Sequence, residues 1–153
     1  MTPTPRTAQQ IADVLIARDP LPPLVPIQVF DAALTEEIEA TDAPDLVKVG
    51  LHLLNDDLVT SHKPAQVHEG EPLADYWHAI IHRREGDYGN SRYWFGRIGR
   101  ATILAQVYGS DPNAPTAFVE RCRVVGRGRD AAAEQFQRAE LAQLLAYAQS
   151  QSS

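Results

Sequence analysis

Residues 78–99 read HAIIHRREGDYGNSRYWFGRIG, and they concentrate the side chains able to do chemistry. His78 and His82 are four apart, so on a helix they project from one face, one turn apart. Glu85 follows three residues later on the same side. Two neutral imidazoles and a carboxylate so placed could hold a divalent metal such as zinc, or serve as general acid–base groups. The metalloprotease pattern needs a glutamate directly after the first histidine, and Ala79 stands there instead. A further ligand must then come from elsewhere, with His52 and Asp57 as candidates. The competing expectation is that the imidazoles only hydrogen-bond within helix packing. His62 and His68 read as ordinary loop or surface histidines.

The next stripe begins at Asn90. Asn90, Tyr93, Trp94 and Arg97 stand at i, i+3, i+4 and i+7 and share a helical face. Tyr93 and Trp94 suit a core with a polar tip. Asn90 and Arg97, with Arg83 nearby in sequence, suit recognition of a small anion, because the planar guanidinium matches a carboxylate or phosphate bidentately. If the two segments pack antiparallel, His78, His82 and Glu85 confront Tyr93 and Arg97 across one shallow groove. The leading expectation is a polar pocket for a small anionic ligand, with turnover open. The alternatives are a helical-hairpin module that binds a protein partner and a metal-dependent hydrolase built on the same residues.

Those residues need helices to position them, and the chain supplies helical signals throughout. Thr7 is placed to cap a helix carrying Ile11, Val14 and Leu15. DPLPPLVP (19–26) must be extended, since proline lacks the backbone donor. Six of the eleven prolines fall in the first 26 residues, so 1–30 read as a proline-rich wrap with one short helix, and 31–150 as a single domain. Asp31 can cap AALTEEIEA, and DLVKVGLHLL (45–54) has helical periodicity. LADYWHAIIHRRE (73–85) and NSRYWFGRIG (90–99) form a pair closed by Gly99. RATILAQVYG and TAFVERCRVVG are shorter helices around the loop SDPNAP, and Asp130 can cap the alanine-rich segment 130–149. No stretch alternates with period two. The fold class expected is therefore all-α, a bundle of about seven short helices.

A shift of 30 residues superposes His52 on His82, Asp57 on Asp87 and Ser61 on Ser91. This is the mark of two consecutive helical hairpins, weakly tetratricopeptide-like in period. Pro64 is expected to end or kink the second helix of the first hairpin.

Composition bounds the function. With 44% hydrophobic and 22% charged residues the chain is an ordinary globular sequence. It has no apolar run long enough to span a membrane, and MTPTPRTAQQ lacks a signal-peptide core, so a cytoplasmic location is expected. The single cysteine, Cys122, excludes an internal disulfide. A net charge of −6 argues against non-specific nucleic-acid binding. Residues 76–100 hold five arginines against two carboxylates, a basic island in an acidic chain, and this favours an anionic partner. No G-x-S-x-G, G-x-G-x-x-G or P-loop is present.

The run WHAIIHRREGDYGNSRYWFGRIG, with LHLLNDDL upstream, resembles the signature of a family of small bacterial and fungal proteins of uncharacterised function. The resemblance covers about residues 46–99 and implies no activity or catalytic assignment. The chain departs from that pattern at HKPAQ (62–66).

Overall fold

The computed structural model describes residues 4–99 and 101–151. It is all-α, with nine helices and no strand among the described residues. The order is α1 (Ala8–Ile16), α2 (Ala32–Glu39), α3 (Asp45–Leu54), α4 (Leu58–Val67), α5 (Pro72–Glu85), α6 (Tyr88–Ile98), α7 (Thr102–Tyr108), α8 (Ala114–Val125) and α9 (Ala131–Gln151). That is two more helices than the expected seven. Among the described residues no helix is long and apolar enough to cross a membrane.

Local chemistry accounts for most of the ends. Thr7 and Gln10 form a reciprocal capping box at α1. Asp31, Asp57 and Asp87 each accept a backbone N–H at the start of the next helix. Asp130 does the same for Ala133. The proline-rich segment 19–26 contains no helix. Helix α4, by contrast, runs through Pro64 to Val67, which corrects the expectation that it would end there. Pro64 costs it one internal donor. Its neighbours α3 and α5 pack on it from both sides, and buried Ser61 and Ala65 hold it in place.

The core is one large cluster with a smaller second one of Leu24, Phe118, Cys122 and Ala133. Ile11 and Leu15 of α1, Leu51, Leu53 and Leu54 of α3, Tyr76, Trp77, Ile80 and Ile81 of α5, and Leu141, Leu144 and Leu145 of α9 all belong to the larger. The N-terminal helix thus shares the core of the rest. A close approach fixes the α3–α5–α9 seam: a Cβ on Gly50 would stand 2.8 Å from the Trp77 ring and 3.0 Å from Leu145.

The helices α3–α4 and α5–α6 are two antiparallel hairpins with the same turn. The Asp57 N–H donates to the His52 carbonyl at 2.8 Å, and the Asp87 N–H to the His82 carbonyl at 2.9 Å. The residue before each aspartate is left-handed: Asp56 at φ 58° and Gly86 at φ 83°. The 30-residue correspondence is therefore a repeat of backbone geometry at the turns. It leaves α4 and α5 side by side, each from a different hairpin.

Candidate metal centre

The seam between α4 and α5 carries three imidazoles. His62 of α4 meets His78 and His82 of α5, with one ring nitrogen from each lying within 4.8 Å of the others. The His62 and His78 Nε2 atoms are 3.1 Å apart. Two ligands of a tetrahedral ion bound at about 2.0–2.1 Å stand roughly 3.3 Å from each other, so this pair already has the required spacing. His62 is the residue that the sequence does not point to: it reads as a loop or surface histidine, and the packing of α4 on α5 brings it to the site.

Each ring is prepared differently. Glu85 Oε2 lies 3.1 Å from His82 Nδ1, and Asp87 Oδ2 lies 3.8 Å from it. A carboxylate can only accept, so the His82 Nδ1–H donates to Glu85, the orientation by which carboxylates fix ligand histidines and turn Nε2 toward a metal. His78 is almost wholly buried, at 4% exposure. Burial first, then His82 and His62, push its pKa down to about 4, against a smaller opposing effect of Glu85. It is neutral at physiological pH, and its Nε2 shares a hydrogen bond with the His62 Nε2, one nitrogen donating to the other. Its Nδ1 is buried without a hydrogen-bond partner. The His78 ring stacks on Trp94 of α6 at 4.2 Å between centroids, which fixes its plane.

The remaining sequence candidates divide. Arg97 places its guanidinium carbon 4.9 Å from the Trp94 ring and reaches the exposed Tyr93 hydroxyl at 3.5 Å. Asn90 Nδ2 donates to Asp87. Helices α5 and α6 therefore set Trp94 against His78 and Arg97 against Trp94, while Glu85 meets His82 and Asn90 meets Asp87 at the turn. His52 does not join them. It is fully buried and its Nε2 donates to Glu39 of α2 at 2.7 Å. Asp57 accepts from Thr35 and Thr60.

Arg83 stands apart as well. It is buried and paired with Glu140 at 2.8 Å, with Gln137 and Tyr108 as further partners. Tyr76 donates to the same Glu140 carboxylate. Neighbouring Arg84 is buried against Asp56 at 2.6 Å and the carbonyls of Leu53 and Pro23. Asp56 also holds Arg18. Two of the arginines that made this stretch basic are thus neutralised in the interior. The groups left around the histidines are the Glu85 and Asp87 carboxylates and, one aromatic ring away, Arg97. That environment suits a cation at the imidazoles.

No family model, curated protein or solved structure matches this chain.

Proposed function

We propose that this protein binds one divalent metal ion, zinc being the best fit, through His62, His78 and His82, and that it is a metal-dependent hydrolase of small molecules. The supporting observation is the meeting of three imidazoles from two hairpins, with two Nε2 atoms 3.1 Å apart and the third ring oriented by Glu85. Three histidines leave a tetrahedral ion one position for water or substrate, the pattern of catalytic rather than closed structural sites. An ion so bound lowers the pKa of water toward neutrality and polarises a carbonyl. In such a hydrolysis water adds to the carbonyl carbon, the C–O or C–N bond breaks, and a proton passes to the leaving group. Glu85, against the His82 Nδ1, is the carboxylate that holds this ring in place for the ion.

The test is equilibrium dialysis of the purified protein against zinc, followed by elemental mass spectrometry. One zinc per chain is expected. His62→Ala, His78→Ala and His82→Ala should each weaken binding by a hundredfold or more, while His52→Ala keeps it. No retained metal, or equal loss in His52→Ala, overturns the proposal. Zinc-dependent turnover of a chromogenic ester, abolished by a chelator and restored by zinc, is the expected activity.

A further inference from the structure

One histidine outside the metal centre is held by partners from separate elements. His68 caps the C-terminus of α4. Its Nδ1 lies 2.7 Å from Glu71 Oε2, and its Nε2 lies 3.1 Å from Asp45 Oδ2. Glu71 is the N-cap of α5, and Asp45 is the first residue of α3. The Glu71 N–H also donates to the His68 carbonyl at 3.1 Å, closing the turn between α4 and α5. A single ring thus joins three helix ends.

The chemistry of that ring makes the joint conditional. A carboxylate only accepts, so both contacts are hydrogen bonds only when both ring nitrogens carry protons. Asp45 first, then Glu71, hold the imidazolium above its ordinary value of 6.5, against the smaller effect of burial. The surrounding charges are otherwise engaged or exposed. On α3, Lys48 donates to the Glu39 carbonyl. On α5, Asp75 accepts from the Gly70 N–H, and Glu69 of the turn is exposed. From α9 come Ala148 and Gln151, neither of which titrates. A neutral ring keeps one proton, so it holds one carboxylate and turns a lone pair toward the other. Glu71 has the shorter contact and is 3 residues away, whereas Asp45 is 23 residues away. Asp45 is therefore the partner that is released.

The same three residues line a pocket of about 270 Å³ whose wall is otherwise mainly apolar, with Leu46, Val47, Leu73 and Ala148. The side chains of His68, Asp45 and Glu71 are 33%, 61% and 57% exposed, which puts them at its outer edge. We propose that His68 is a proton-operated clip: protonated, it ties the start of α3 to the start of α5 at the edge of this pocket, and neutral, it lets go of Asp45 and opens the pocket. Asp45, His68 and Glu71 take no part in the metal centre, so the clip does not depend on it.

The experiment is a pH titration of the isotope-labelled full chain by NMR, following the His68 ring and the methyl groups of Leu46, Val47 and Leu73. His68 is expected to titrate above 6.5, with Asp45→Asn and Glu71→Gln each lowering its midpoint. The methyl signals should move with that same midpoint and lose this pH dependence in His68→Gln. Chemical denaturation adds a second readout: the margin of stability over His68→Gln should be full below 6.5 and lost as pH rises through the folded midpoint. A His68 midpoint at or below 6.5, or one that Asp45→Asn does not move, overturns the clip. Methyl signals that ignore the His68 midpoint overturn the opening of the pocket.

Discussion

The two hairpins share a turn and differ in what they do with it. In the first, the histidine before the turn, His52, is sealed in the interior and its Nε2 is satisfied by Glu39 of the preceding helix. In the second, the equivalent His82 faces the His62 imidazole of its preceding helix, and its carboxylate partner comes from its own helix end. The two positions after these histidines diverge as sharply. Leu53 and Leu54 of α3 are fully buried leucines, whereas Arg83 and Arg84 of α5 are fully buried arginines. The same backbone therefore supports an apolar wedge in one copy and a charged one in the other. The charged copy is possible only because Glu140 and Asp56 wait for it. The lesson is that the turn fixes where a side chain sits, and the neighbouring helix decides whether it is a strut or a ligand.

The most damaging way to probe this is to remove a buried counter-ion. Glu140→Ala should cost about 3–5 kcal/mol in chemical denaturation, because Arg83, Tyr76 and Tyr108 all lose the same acceptor. A loss under about 1 kcal/mol would show that the arginine wedge does not depend on its partner. Acidification probes the imidazoles next. Unfolded, the His78 ring takes a proton near its ordinary value of 6.5, and folded only near about 4, so the unfolded chain binds more protons in between. The metal-free protein should lose on the order of 3 kcal/mol as pH falls across that interval. His78→Gln should remove most of this slope; an unchanged profile would mean that the cluster does not exclude the proton. The paired substitutions His52→Ala and His82→Ala sharpen the contrast at about 1–3 kcal/mol. The first should lower the melting temperature, because Glu39 loses its partner, and the second should do so less, because its ring has an exposed edge. Equal destabilisation would erase the distinction between strut and ligand. Smallest is Gly86→Ala, which puts a side chain at φ 83° where the first hairpin tolerates Asp56, and should cost about 1–2 kcal/mol.

What was legible in the sequence was local. Caps at Thr7, Asp31, Asp57 and Asp87 act within three residues, so their types and spacing announce them. His78 and His82 belong to one helix, so a spacing of four places them together. His62 was not legible, because it comes from another hairpin and lies two residues before a proline that argued against the helix carrying it. His52 was misleading for the opposite reason: it repeats His82 in register, yet its partner Glu39 lies on α2. The basic island was read by counting charges, and counting cannot see that Arg83 is met by a carboxylate 57 residues away. Long-range pairing decides which charges a surface shows, and no window of sequence holds both members.

The stack of Trp94 on His78 has an optical consequence. The chain has two tryptophans, and Trp77 is enclosed in the apolar core against Gly50 and Leu145. Trp94 alone lies in van der Waals range of a ring that the ion would coordinate. A paramagnetic ion such as copper(II) or cobalt(II) should quench the emission of Trp94 and leave most of that of Trp77. The protein thus carries its own indicator, and the fluorescence of Trp77→Phe should report occupancy of the centre without any added dye.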